Sequence, residues 1–309
     1  MLGLRAMTAA LPRRLRPGDI VAVVAPCGPV DPERLDRGRR VLEGLGLRVV
    51  TGSRVLNRRG YLAGSDAGRA QDLREAWCDP SVSAVLCARG GYGATRLLDL
   101  LDWPAMRAAG PKILLGSSDV TALHRAFADR LRVATCFGPM PACATLGDGP
   151  DPVSLDRLRA ALFAGSAPEP IPGTHAIVPG RAEGPLTGGN LCLLAALCGT
   201  PHAMRAEGRV VLLEDVGEAP YRIDRMLTQL LQAGCLDGVT GIALGTWVGC
   251  GDALPVLTER LAPLGVPVLA GLPIGHGTPQ FSTWLGPHAV IDTESCSMAS
   301  LFRDQVKET

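Results

Sequence analysis

The chain has 309 residues, of which 47% are hydrophobic, and its 31 basic and 30 acidic side chains leave a formal net charge of +1. This length and apolar content predict one or two domains with well-buried cores. The charge gives no electrostatic basis for nucleic-acid binding, and no segment reaches the roughly 18 apolar residues of a membrane-spanning helix.

The first half of the chain alternates short apolar runs with amphipathic stretches. Such alternation predicts a parallel β-sheet covered by helices on both faces, with ligands collecting beyond the carboxyl ends of the strands. The predicted strands are 19–25, 47–51, 84–88 and 112–115. The predicted helices are 31–45, 67–78 and 94–101.

Proline and glycine recur between residues 147 and 185, and we interpret 167–181 as a linker. The chain is thereby divided into an N-terminal domain, 1–166, and a C-terminal domain, 182–309. Strands are predicted in the second half at 209–213, 241–246, 266–269 and 289–292. Helices are predicted there at 188–197, 221–232 and 252–264.

Residues 112–124 contain an apolar run that Gly116 interrupts, with a helical pattern directly after it. Ser118 therefore lies at a sharp strand-to-helix turn. A hydroxyl at such a turn projects beyond the sheet, beside the N–H groups of the following helix. Ser118 is a candidate nucleophile, although Ser118 or Asp119 would also suit a plain helix N-cap.

A serine nucleophile needs a base, and histidine is the usual one near neutral pH. Of the five histidines, His276 lies between two glycines in a loop after an apolar strand, where its ring can project freely. Glu214 directly follows the apolar run 209–213, at the end of a predicted buried strand. Burying a carboxylate there costs free energy unless it has a partner. We therefore predict that Glu214 orients His276, with Glu218 as the alternative acid.

Two glycine clusters follow predicted strands or precede predicted helices. Residues 89–93 (RGGYG) lack the third glycine of a dinucleotide fingerprint, and we interpret them as a loop of backbone donors near a substrate carbonyl. Residues 188–190 (GGN) could bind an anion but suit a plain helix start.

Ten cysteines are scattered along the chain, without a C-x-x-C pair or zinc-type spacing. We therefore expect free thiols and neither a metal nor a cofactor. Cys27 is a second candidate nucleophile, but nothing near it in sequence would activate it. The broken apolar stretch 6–11 does not match a secretory signal, so the expected location is cytoplasmic.

Five motifs in this order resemble the L,D-carboxypeptidase family, serine peptidases that include muramoyl-tetrapeptide carboxypeptidase and the microcin-immunity peptidases. The resemblance extends from about residue 18 to residue 292. The motifs are RGGYG at 89–93, GSSDVT at 116–121, GPLTGGNL at 184–191, LEDVGEAPYRIDR at 213–225 and GHG at 275–277.

The resemblance implies that Ser118 is the nucleophile, Glu214 the orienting acid and His276 the general base. It also implies an oxyanion hole made by the backbone N–H groups of Gly91 and Asp119. The implied fold is α/β, with an N-terminal parallel-sheet domain and a smaller, mixed and β-rich C-terminal domain. The implied assembly is a homodimer.

The implied reaction is cleavage of an L,D peptide bond that releases terminal D-Ala from a peptidoglycan tetrapeptide during cell-wall recycling. One alternative is a microcin-immunity-like peptidase acting on a peptidyl-nucleotide such as an acyl-sulfamoyl adenylate, with Trp284 as the candidate to stack on the base. A second alternative is a non-catalytic anion- or nucleotide-binding α/β protein that uses the two glycine loops.

A carboxypeptidase must recognise a free terminal carboxylate, which the planar guanidinium of arginine can bind bidentately. Arg89 and Arg222 are both candidates, and the residues leave the choice open. Arg222 could instead pair with a neighbouring acid. The chain departs from the family pattern at Ser117, commonly Tyr, and at Gln280, where the family usually has Asn.

Overall fold

The computed structural model describes residues 9–165 and 168–302. The strands in these residues are, in chain order, β1 (Ile20–Val24), β2 (Arg48–Thr51), β3 (Val82–Cys87), β4 (Ile113–Gly116), β5 (Thr135–Phe137), β6 (Ile171–Pro172), β7 (His175–Val178), β8 (Arg181–Asn190), β9 (Val210–Val216), β10 (Gly241–Val248), β11 (Val268–Ala270), β12 (Thr283–Leu285), β13 (His288–Asp292) and β14 (Ser297–Leu301).

The α-helices in the same residues are α1 (Pro32–Gly44), α2 (Asp66–Cys78), α3 (Trp103–Ala108), α4 (Thr121–Arg130), α5 (Ala144–Gly147), α6 (Pro152–Phe163), α7 (Leu191–Ala196), α8 (Pro220–Gln232) and α9 (Leu254–Leu261). Three short 3-10 helices are Ala94–Leu97, Ser118–Val120 and Ala262–Leu264. None of the helices in this part of the chain is long and apolar enough to cross a membrane.

The first sheet has the strand order β12-β5-β4-β3-β1-β2. Its neighbours from β5 to β2 are all parallel, as the alternation of strands and helices predicted, and only β12 is antiparallel. Successive residues of β1 belong to different apolar clusters: Ala22 and Val24 to one, Val21 and Val23 to the other. Both faces of the sheet are therefore covered, as in other parallel sheets.

The second sheet has the order β6-β14-β13-β8-β9-β10-β11-β7, with parallel pairing from β8 to β11 and antiparallel pairing elsewhere. Its strand β9 also alternates between two clusters. Phe137 of β5 belongs to one of these clusters, so the two sheets share apolar packing. The architecture is α/β with two sheets, and the fold prediction is confirmed.

Several predicted elements differ from the structure. The helix predicted at 94–101 is only the 3-10 turn Ala94–Leu97, and residues 188–190 end strand β8 before α7 begins. The segment predicted as a linker contributes β6 and β7, which are the two edge strands of the second sheet. Edge strands tolerate proline and glycine, so the composition that predicted a linker is also compatible with these two strands. The boundary predicted between residues 166 and 167 lies outside the described residues.

Candidate active site

Ser118 follows β4 at the carboxyl edge of the first sheet, as predicted. Its φ angle is 60°, in the left-handed region that non-glycine residues seldom adopt. Such strain is typical of functional turns, where the surrounding structure holds one residue in place. Ser118 lines a cavity of 250 Å³ together with His276. Within residues 9–165 and 168–302, no hydrogen bond engages the Ser118 hydroxyl.

The loop 89–93 lies against this serine. A Cβ added at Gly90 would lie 2.8 Å from Ser118 Cβ, 2.9 Å from Ser118 Oγ and 3.5 Å from the Asp119 backbone nitrogen. Gly91 has a φ of 115°, which favours glycine. Gly90 and Gly91 both line the cavity. The loop therefore brings backbone, rather than side chains, next to the hydroxyl and the following N–H group.

Glu214 and His276 come together at the end of the second sheet. Glu214 belongs to β9 and is fully buried, and its Oε2 accepts a hydrogen bond of 2.7 Å from His276 Nδ1. Since the carboxylate accepts at Nδ1, the proton of the neutral ring resides there, and Nε2 is free to accept another. The buried acid thus has the partner that its position required.

Two further side chains hold this pair, and sequence reasoning missed both. Asn190 stands opposite Glu214 in the parallel β8–β9 register, and its Nδ2 donates to Glu214 Oε1 at 3.3 Å and to Asp215 Oδ1 at 2.9 Å. Thr246 Oγ1 accepts from the backbone nitrogens of His276 at 2.9 Å and Gly277 at 3.2 Å. Asn190 lay within a quoted motif, but Thr246 carried no sequence signal.

Opposing effects act on the pKa of His276. Burial lowers it, but the hydrogen bond and negative charge of Glu214 outweigh burial, so the pKa is raised above its ordinary value of 6.5. The pKa of Asp215 is also raised, chiefly by burial, although Asn190 and two backbone N–H groups donate to this carboxyl.

His124 and Cys27 are both buried in environments that do not suit them to catalysis. His124 is buried on α4, bonded to Thr135 Oγ1 at 2.8 Å and to the Gly116 carbonyl at 3.0 Å, and burial lowers its pKa to about 4. Burial and the nearby charge of Asp119 raise the pKa of Cys27 well above its ordinary value. A protonated, buried thiol is a poor nucleophile.

The structure separates the two candidate arginines. Arg89 lines the cavity and donates to the carbonyls of Gly90 and Pro29, each at 3.2 Å. Arg222 is half exposed, pairs with Glu218 at 3.6 Å and is absent from the described residues that line the cavity. Arg222 therefore has the helix-surface ion pair that was its alternative explanation.

Trp284 does not reach the cavity. It lies in β12, is 1% exposed, and donates from Nε1 to the Ala161 carbonyl at 3.2 Å. The guanidinium of Arg14 lies 4.4 Å from its ring centroid. A ring enclosed in this way has no free face for a base, so its position argues against the predicted substrate contact.

Family models match both halves of the chain: "LD-carboxypeptidase N-terminal domain" over residues 21–138 and "LD-carboxypeptidase C-terminal domain" over residues 183–291. The chain belongs to the LD-carboxypeptidase family. It is accordingly a serine-type carboxypeptidase, and the non-catalytic alternative is set aside.

A Streptomyces coelicolor protein named as a carboxypeptidase is 52% identical to this carboxypeptidase over 296 residues, 92% of this chain and 94% of that one. The murein tetrapeptide carboxypeptidase of Pseudomonas aeruginosa is 35% identical, covering 88% of this chain and 92% of its own. The crystal structure of an MccF-like protein from Bacillus anthracis superposes with a TM-score of 0.87 at 26% identity, covering 96% of this chain and all of the other.

Several residues that line the cavity of this carboxypeptidase were not selected from the sequence as site residues. Some come from the segment after β5, which sequence reasoning left unassigned. They are Arg34, Met140, Cys143, Thr145 and Gln280. Gln280, noted only as a departure from the family pattern, accepts a hydrogen bond of 3.1 Å from Thr145 Oγ1.

Replacing Gly90 by alanine in this carboxypeptidase is expected to lower kcat/KM by about 10²-fold, because misplacement of a reacting group by about 1 Å costs that much. The new methyl group would collide with Ser118 Oγ. Steady-state kinetics and a thermal melt check this result. Gly44→Ala is the matched control, since no atom lies within 4 Å of its added Cβ. Unchanged kinetics in Gly90→Ala would contradict the close approach.

Proposed function

We propose that this protein is a serine carboxypeptidase that cleaves an L,D peptide bond and releases terminal D-Ala from a muropeptide tetrapeptide in peptidoglycan recycling. The observation that carries the proposal is the His276–Glu214 hydrogen bond at a cavity that Ser118 also lines. The similarity to a murein tetrapeptide carboxypeptidase supports the substrate class.

In the proposed reaction, His276 Nε2 takes the proton of Ser118 Oγ as this oxygen attacks the scissile carbonyl carbon. The carbonyl oxygen becomes an oxyanion, which the N–H groups of Gly91 and Asp119 stabilise. The intermediate collapses, the C–N bond breaks, and His276 returns the proton to the departing D-Ala amine. Water then hydrolyses the acyl-enzyme by the same proton route.

Glu214 has a positioning role in this scheme. Its carboxylate holds the imidazole with the proton on Nδ1 and stabilises the imidazolium that forms during each acyl transfer. Asn190 and Thr246 support the acid and the histidine loop, respectively. These contacts keep Nε2 free for Ser118.

Arg89 is the proposed partner of the substrate's terminal carboxylate. It lines the cavity beside the donor loop, and its guanidinium bonds only to carbonyl oxygens among the described residues. No acid there competes for its charge, so a carboxylate can form a charge-assisted pair. The ion-paired Arg222 is the less suitable group.

The cavity favours a peptide over a peptidyl-nucleotide. Its described lining contains no Phe, Tyr or Trp on which a base could stack. Its 250 Å³ is also small compared with the roughly 300–1,000 Å³ typical of sites for larger ligands. These features support the tetrapeptide proposal over the microcin-immunity alternative.

Mass spectrometry of the products from tetrapeptide, pentapeptide and C-terminally amidated tetrapeptide tests the proposal. We expect release of D-Ala from the tetrapeptide and no cleavage of the amide, since the amide cannot pair with Arg89. Arg89→Gln should raise KM for the tetrapeptide at least about tenfold, the loss of one charge-assisted hydrogen bond. Arg222→Gln is the matched control and should behave as wild type. Equal cleavage of the amide would contradict carboxylate recognition.

Two finer parts of the proposal, a homodimer and a cytoplasmic location, follow the family resemblance. A cytoplasmic enzyme would meet muropeptides after their import, as recycling requires. The substrate is a small peptide, with neither nucleic acid nor membrane as a partner.

A further inference from the structure

A second cavity, of 440 Å³, lies between α4 and β8 and shares no described lining residue with the active-site cavity. We call it the basic cavity, because five arginines and one acid line it. These residues are Arg125, Arg130, Arg132, Arg205, Arg209 and Asp129. No motif of the proposed peptidase reaction uses any of them.

One of the arginines that line the basic cavity is buried. Arg125 is 6% exposed, pairs with Asp129 at 3.0 Å and donates to Thr187 Oγ1 at 3.1 Å. Its Nε is buried and has no partner among the described residues. A buried donor without an acceptor costs free energy, so this guanidinium adds an incompletely bonded positive charge to the residues that line the cavity.

The other four arginines are unpaired. Across residues 9–165 and 168–302, the side chains of Arg130, Arg132, Arg205 and Arg209 form neither an ion pair nor a hydrogen bond. Burial and the charge of Arg125 lower the pKa of Arg209. Among the described residues, the basic cavity is therefore lined by five positive charges and only one negative charge, that of Asp129.

We infer that the basic cavity binds a small phosphorylated molecule. Guanidinium forks match phosphate oxygens bidentately, and a phosphate group carries close to two negative charges at neutral pH. The volume falls within the roughly 300–1,000 Å³ of small-molecule sites, and Leu186 and Leu285 supply apolar walls for an organic group. Because the whole chain has a net charge of only +1, it exerts no long-range electrostatic attraction that would favour a long polyanion over a small one.

Isothermal titration with sodium pyrophosphate at about 0.15 M salt tests this inference, with thermal melts as a second readout. Wild type should bind, and Arg130→Gln/Arg205→Gln should bind at least tenfold more weakly. Both of these arginines are exposed, so the double variant should fold. Arg209→Gln is a second test and should also weaken pyrophosphate binding. Arg58→Gln/Arg59→Gln removes the same charge from another exposed site and should bind like wild type.

Two further experiments test which cavity binds the anion and whether phosphate is preferred over carboxylate. Ser118→Ala and Arg89→Gln should keep pyrophosphate binding, since both residues line the other cavity. Citrate should bind more weakly than pyrophosphate. The inference is overturned if wild type does not bind pyrophosphate, if the Arg130/Arg205 variant binds it equally well, or if citrate is preferred.

Discussion

Ser118→Ala is expected to lower kcat for the tetrapeptide by at least about 10⁴-fold, since loss of a nucleophile removes the covalent route. Folding should be retained, because the hydroxyl makes no hydrogen bond with the described residues that alanine would lose. Product analysis by mass spectrometry measures turnover, and a thermal melt measures stability. A fluorophosphonate probe should label wild type and spare the variant.

Ser117→Ala is the matched control for this experiment. Ser117 is the neighbouring serine, is 3% exposed, and lines the same cavity, but it precedes the strained turn residue. Its variant should keep kcat within about tenfold of wild type and should still react with the probe. The serine mechanism is wrong if Ser118→Ala retains full activity, or if chelators abolish wild-type turnover.

Glu214→Gln is expected to lower kcat by about 10³–10⁴-fold with little change in KM, because an amide no longer stabilises the imidazolium. It should also move the pH profile. The base must be neutral, so wild-type kcat/KM should fall as pH drops through the His276 pKa, which lies above 6.5. Without the Glu214 charge, burial lowers that pKa, and the acidic limb should shift to lower pH.

Glu218→Gln is the control for this second prediction. Glu218 pairs with the half-exposed Arg222, and such surface pairs contribute only about 0–1 kcal/mol. Its variant should match wild type in both rate and pH profile. If Glu218→Gln abolishes turnover while Glu214→Gln is nearly silent, Glu218 is the orienting acid.

The strands that the sequence predicted are those whose signal is local. The apolar runs of β1, β3, β4 and β9 are buried on both faces and stand out as continuous hydrophobic segments. Strand β8 was missed because glycine and proline interrupt it. A Cβ at Gly188 would lie 2.1 Å from the Leu212 carbonyl, so this central strand needs glycine to approach its neighbour. This need for glycine arises from a contact with the neighbouring strand, so no pattern in the local sequence signals it.

The strand β12 was missed for a related reason. It is three residues long and pairs with β5 of the first sheet, across about 150 residues of chain. Short strands take their conformation from their partner rather than from their own propensity. This pairing buries Trp284, and that burial argues against its predicted role as a substrate contact.

The sequence by itself determined the three central site candidates, because each has a local signal: a strand-to-helix turn at Ser118, an acid ending an apolar strand at Glu214, and a glycine-flanked ring at His276. Only the tertiary structure gives a reason to propose Arg89 over Arg222, and only it reveals Asn190 and Thr246 beside the acid and the histidine. Asn190 bonds Glu214 because β8 and β9 pair in that register, and its backbone nitrogen donates to Thr121 Oγ1 at 3.0 Å, beside the nucleophile turn. Such contacts depend on strand order and docking, which bring together residues that are distant in sequence.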